Sequence, residues 1–292
     1  MTTEHEGRGI GWLWKIPLIA VAYFVATMIS GALVMAMGME FPEFPALAYS
    51  PVRSLLAALV LGAALYLLAR GIRGSSVLRW FVLFAFTYIS FCVNNQIEAA
   101  IFTTMGDFDT MLVFFIIPCA LVAGATALLV KPPDEATVLT TVFSDRPMSA
   151  WWWRATLAWL AFPVIYYFFG MLIYPFVADA YEGGELGLVV PSQSVILSAV
   201  TFRSLLFFLV TIPILTNWSR SRRSLLLALA AAFTAMVGVV GMIEASWMTT
   251  TLRIVHGLEI TADSIVHAWV LVTLLVPKSK VEQAGLSTFA AE

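Results

Sequence analysis

The chain has 292 residues, 61% of them apolar and only 12% charged, with a mean hydropathy of +0.91 and a formal net charge of −2. A soluble domain of this size needs far more polar surface. The apolar runs are continuous rather than alternating, which excludes a membrane β-barrel, and no loop is basic enough to suit nucleic acid.

The opening stretch, "MTTEHEGRGIGWLWK", carries acidic residues, and no clean cleavage site follows the first apolar run. That run is therefore read as a retained helix and not as a signal peptide. Eight runs follow in order, roughly 14–37, 51–69, 79–104, 109–130, 153–175, 194–216, 224–249 and 257–276, each of a length to cross the lipid bilayer as a helix. Pro17, Pro118, Pro163 and Pro213 fall inside runs, where neighbouring helices tolerate a kink. Cys92 and Cys119, the only cysteines, lie within runs and read as small core residues.

The connections sort by charge. Thirteen of the 16 Lys and Arg residues lie in or beside the termini and alternate loops, such as "ARGIRGSSVLR" and "NWSRSRRS". Only Arg53, Arg203 and Arg253 lie toward the other side, where "GMEFPEFP", "GDFD" and "ADAYEGGELG" are acidic. The positive-inside rule then places both termini in the cytoplasm of a plasma membrane, in bacteria the inner membrane. Tryptophans at 12, 14, 80, 151, 152, 153 and 218 gather at the same ends, as interfacial anchors do.

An internal repeat is legible. "VRSLL" at 52 matches "FRSLL" at 202, "IEAAIFTT" at 97 matches "IEASWMTT" at 243, and Trp14-Lys15 and Gly31 match Trp153-Arg154 and Gly170. Each half holds four runs, an even number, so both enter the membrane from one side. The expected fold is all-α, with eight transmembrane helices built as two parallel four-helix repeats about an axis along the membrane normal. The expected organisation is a first repeat over 1–131, a cytoplasmic linker over 132–152, a second repeat over 153–280 and a cytoplasmic tail over 281–292.

Polar residues inside the runs are the candidate site, because they are costly in lipid and must face protein or a water-filled cavity. Counted along their helices, Glu98 and Glu244 lie roughly 28 and 30 Å from the cytoplasmic ends, in the outer half of the membrane. Arg53 and Arg203 share that half, so Arg53 with Glu98 and Arg203 with Glu244 are expected as structural ion pairs. The amides of Asn94 and Asn95 beside Glu98 either line a cavity or bond between helices.

The last run carries the densest signal. His256, Glu259, Asp263 and His267 are spaced by three, four and four, which puts all four on one helix face. The stripe descends from the external end to the bilayer midplane. The first half has no equivalent, since "GDFDTMLVFFIIPCALV" is apolar past Asp109. Imidazole and carboxylate are metal ligands and members of proton relays. The four are thus candidates for either role, although no HExxH or paired CxxC is present.

The leading expectation is a transporter- or permease-like protein. An outward-facing polar cavity, lined by Asn94, Asn95, Glu98, Glu244, Glu259, Asp263 and His267, would take a proton, a cation or a small solute. Two alternatives stand beside it: a membrane-embedded enzyme, metal-dependent or not, acting at the external leaflet, and a non-catalytic scaffold or accessory subunit. The residues name no cofactor, substrate or oligomeric state.

Overall fold

The computed structural model describes residues 11–42, 50–104, 108–132 and 146–277. The expected tail, most of the linker, and Arg8, Lys278 and Lys280 of the charge count lie outside the described residues. Among the described residues, eight helices are long and apolar enough to cross a membrane: α1 (Gly11–Ala36), α2 (Pro51–Ala69), α3 (Ser76–Phe102), α4 (Phe108–Leu129), α5 (Met148–Glu182), α6 (Gln193–Thr216), α7 (Arg222–Glu244) and α8 (Thr250–Leu275). Among the described residues no strand forms beyond two isolated bridges. Large apolar side chains such as Leu18, Val52, Phe81, Leu128, Val164 and Leu258 stay exposed on the outside of the bundle. In water that surface would drive association; in lipid it is the required one.

Most helix bounds fall within about five residues of the apolar runs, and two differ by more. α5 continues through Pro175 to Glu182, so its 35 residues extend about 50 Å and overrun a hydrocarbon core of about 30 Å. The hydropathy pattern stops where the lipid would stop, but the helix has a protein surface to follow. Ile173, Val177, Ala180 and Tyr181 pack with Leu188 and Leu252 in a small cluster of their own. α8 begins at Thr250, with the Thr249 hydroxyl accepting the Leu252 N–H at 3.3 Å. His256 consequently stands inside the helix, in its second turn.

Helix neighbours repeat between the two halves. In the first, α1 packs on α2 and α4, and α3 on α4; in the second, α5 packs on α6 and α8, and α7 on α8. The halves join through α2 with α7 and α3 with α6. The eight helices thus close a ring in the order α1–α4–α3–α6–α5–α8–α7–α2.

α3 and α7 also touch inside this ring, and each carries one turn of π-helix, over Tyr88–Val93 and Thr234–Val239. A π turn widens the helix and leaves carbonyls poorly satisfied. Asn94 and Asn95 attend to this. Asn94 sends both its backbone N–H and its side-chain amide to the Ile89 carbonyl, while Asn95 donates to the Met236 carbonyl of α7 at 3.0 Å.

At one end of the bundle the loop after α2 meets the loop after α6. Ile72 pairs with Trp218 in an antiparallel bridge. The Arg73 N–H donates to the Asn217 carbonyl and the Ser219 N–H to the Gly71 carbonyl, both at 3.0 Å. Gly71 is required there, because a Cβ would stand 2.3 Å from the Trp218 ring. Beside this contact Arg220 donates to the Arg70 carbonyl at 2.7 Å; burial, and then the neighbouring Arg70 charge, hold its guanidinium below its ordinary pKa.

Candidate functional site

The interior carboxylates Glu98, Glu244, Glu259 and Asp263 lie at two places, Glu244 at one and the other three at the second, which is far richer. There Glu98, from α3, crosses to the second half: its Oε2 accepts from Arg203 Nη2 of α6 at 2.7 Å. The arginine is 1% exposed and the glutamate 32%. Arg203 lies over the Phe162 ring, 5.9 Å from its centroid, and its Nε and Nη1 have no partner among the described residues.

The α8 stripe runs beside this pair. Tyr181, on the overrunning end of α5, places its hydroxyl 3.3 Å from His256 Nε2. His256 Nδ1 stands 3.0 Å from Glu259 Oε2. The other Glu259 oxygen faces Gly170 of α5, where a Cβ would come within 3.7 Å of it. Tyr166 lies in the field of Glu98, Arg203, Glu259 and Tyr181, and Asp263 in that of Glu259, Glu98 and Arg203. Tyr181, Tyr166, Arg203, Glu98 and the α8 stripe therefore form one connected polar body.

Accessibility falls along it, from 16% at His256 to 9% at Glu259, 5% at Asp263 and 2% at His267. His267 is boxed by Phe162, Phe207 and Phe233, whose ring centroids lie 5.0, 5.7 and 5.3 Å from its own. Two atoms at this inner end are buried without a hydrogen-bond partner among the described residues, Asp263 Oδ1 and His267 Nε2. Leaving such a group unsatisfied costs about 1–3 kcal/mol. Below His267 the interior closes on Leu271, Val272 and Leu275.

The mouth is strapped. The Thr104 N–H donates to the Gly187 carbonyl and the Val189 N–H to the Phe102 carbonyl, both at 2.9 Å. The Phe102 ring meets the Tyr181 ring edge-on at 6.1 Å. The loop between α5 and α6 thus holds the end of α3 against the end of α5.

Glu244 lies elsewhere. It accepts from Ser54 of α2 at 3.3 Å and feels the Arg53 charge, in the neighbourhood of Tyr23. The expected pairing is thereby corrected: Arg203 binds Glu98 and not Glu244, and it is Glu244 that sits with Arg53. The within-half expectation assumed that an arginine and a glutamate at one depth in one repeat are neighbours. In the ring, α2 packs against α7 and α3 against α6, so each glutamate meets the other half's arginine. Asn94 and Asn95 are likewise committed to π-turn carbonyls.

The metal reading fares no better. Among the described residues no group of three or more His, Cys, Asp or Glu side chains is placed to hold a metal ion. His256 and Glu259 contact each other, but on an α-helix Asp263 and His267 follow at one and two turns, about 6 and 12 Å further along.

Two kinds of side chain at this site escaped the sequence: Tyr181 and Tyr166, the first in a stretch read as an external loop and the second within an apolar run, and the phenylalanines around His267. Nothing marks them in a chain with 21 phenylalanines and eight tyrosines. Compared with known proteins, the chain matches no family model, no curated protein and no solved structure.

Proposed function

We propose that the protein is a transporter- or permease-like membrane protein whose second half moves a proton, or a small cation accompanied by one, along the α8 stripe. The observation that carries this reading is the graded file from His256 to His267. Its exposure falls steadily from one end to the other, and it ends on a carboxylate oxygen and an imidazole nitrogen that no described group satisfies. Tyr181 and His256 form its mouth. Glu259 receives from His256, and Asp263 and His267 hold the inner position. Consecutive stripe residues lie about 5–6 Å apart, a gap one water spans. The Glu98–Arg203 pair supplies a fixed dipole beside the file and ties α3 to α6. Leu271, Val272 and Leu275 act as the inner gate, so passage requires the halves to shift.

The arrangement around this site is, in our reading, a duplication. The two halves are parallel four-helix repeats about an axis along the membrane normal, with both termini in the cytoplasm of the plasma membrane. Support comes from one constant offset of 146 residues. It separates "IEAAIFTT" from "IEASWMTT", the π turns at 88 and 234, the helix-capping Ser75 and Ser221, and the bridged pair Ile72 and Trp218. A residue paired with its own counterpart is what a two-fold axis produces. Two loops that touch also lie on one side of the membrane, which favours parallel over inverted halves.

A scaffold reading has one observation in its favour, the close boxing of His267 by three phenyl rings. It offers no reason for Asp263 Oδ1 to be buried and unpartnered. Proton flux into liposomes holding the full chain, read with an entrapped pH dye, decides between them. Asp263→Asn and His267→Ala are expected to lower the flux at least about tenfold, the scale of losing one proton-transfer group. Flux equal to the wild type in both variants, or none above empty liposomes in the wild type, removes the reading.

A further inference from the structure

Away from the polar file, on the lipid-facing side of the second half, α7 and α8 part to leave an open groove of about 420 Å³. Val239, Met242 and Ile243 of α7 and Ile254, Gly257 and Leu258 of α8 form its walls. Ile254 and Leu258 are 57% and 67% exposed, so the groove opens sideways toward the acyl chains and not into the ring. Its shape has a sequence cause. A helix-interior glycine costs about 1 kcal/mol relative to alanine, yet a Cβ at Gly257 would meet nothing within 4 Å. Gly257 is not there to let another helix approach. It leaves room.

At the end of the groove nearest the α8 N-terminus stand Thr250 and Arg253, the latter the one charged side chain lining it among the described residues. Arg253 is half-buried, and its Nε is shielded with no hydrogen-bond partner among the described residues. Glu244, next in sequence to the wall residue Ile243, is turned to Ser54 and Arg53 instead. A guanidinium with no carboxylate partner among the described residues, beside an apolar slot and at the depth where the helix leaves the hydrocarbon, is complementary to one kind of molecule: an amphiphile with an anionic head and a hydrocarbon chain.

We propose that this groove is a binding site for a single phospholipid, with one acyl chain laid between α7 and α8 over Gly257 and the phosphate held by Arg253. Arginine's planar fork pairs with phosphate oxygens two at a time, and the groove walls bury the chain. The site lies on the outer surface of the helix pair whose inner surface carries Asp263 and His267. Lipid occupancy therefore bears on how α7 and α8 pack, independently of what passes along the file.

Native mass spectrometry of the full chain in detergent, titrated with dioleoyl phosphatidylglycerol, tests it. One lipid is expected to bind more tightly than the rest. Arg253→Gln, which removes the charge and keeps the groove, is expected to weaken that lipid about tenfold, the scale of one charged hydrogen-bonded contact. Gly257→Leu, which keeps the charge and fills the groove, is expected to weaken it similarly, and the open space at its Cβ lets the variant fold. Arg223→Gln, at an exposed position by the opposite end of α7, is expected to bind as the wild type does. The proposal is overturned if both test variants retain wild-type binding or if only one of them loses it. Displacement of the lipid by inorganic phosphate at equal concentration also overturns it, by assigning Arg253 to a free anion.

Discussion

On the proposed duplication, the two halves of the molecule use one frame and fill it differently. The inward face of α4 presents Pro118, Cys119, Val122, Ala123, Thr126 and Ala127, and that of α8 presents Asp263, Ser264, His267, Ala268, Leu271 and Val272. The spacing is the same, residue for residue. Where the second half buries a carboxylate and an imidazole, the first buries a proline ring and an isopropyl group. Both helices are held by equivalent neighbours, so packing alone does not demand polar side chains at these places. The first half shows that the frame closes without them. The polar file is then an addition to the fold and not a condition of it, which makes it the part of the molecule to interrogate for function.

The harshest way to break the comparison is to bring a carboxylate onto the apolar inward face of α4. Val122→Asp places a carboxylate where nothing is arranged to receive it; a loss of 3 kcal/mol or more is expected, about the cost of an uncompensated charge in the membrane. Reversible unfolding in mixed detergent micelles reads it. A loss below about 1 kcal/mol would mean the first half is wetter than its lining suggests.

Next comes the tie between halves. Removing Glu98 strands the buried Arg203 guanidinium, and Glu98→Ala is expected to cost about 2–3 kcal/mol, less than a fully buried pair because the glutamate is part-exposed. A double-mutant cycle with Arg203→Ala should return a coupling above about 1 kcal/mol, whereas Arg203→Ala with Glu244→Ala should add within about 0.5 kcal/mol. Equal couplings would mean that the arginines do not choose the glutamates of the opposite half.

Smaller again is His267→Phe, which completes the box of phenyl rings with a fourth. Stability is expected to change by less than about 1 kcal/mol, since the swap removes an unsatisfied buried nitrogen and keeps the ring, while proton flux is lost. Retained flux would show that the imidazole only packs. The mildest change is Glu244→Gln, at the polar spot outside the file. A long hydrogen bond to Ser54 is altered, stability shifts by roughly 0.5–1 kcal/mol, and flux stays near that of the wild type.

How much of this the sequence displays depends on the distance over which each feature is determined. Eight apolar helices are local facts, and the run at 51–69 coincides with α2 to the residue. The α8 stripe is likewise local, since three- and four-residue spacing fixes a helix face wherever the helix is placed. Partners are not local. Pairing Arg203 with Glu98 follows from which helices adjoin in the ring, and no spacing within either half encodes that. The π turns escaped because "YISFCV" and "TAMVGV" look like any apolar helix; only the demand of their carbonyls on Asn94 and Asn95 exposes them. The far end of α5 escaped because hydropathy reports contact with lipid, and that end is held by protein, through Tyr181 on His256.

An experimental density map resolving solvent in the two helix-lined interiors tests the contrast between the halves most directly. Water or a cation within about 3 Å of Asp263 Oδ1 and His267 Nε2, with nothing ordered between α4 and its neighbours at Pro118 and Val122, is the expected result. A dry, fully packed space beside Asp263 and His267, or ordered solvent of equal extent in both halves, would contradict it.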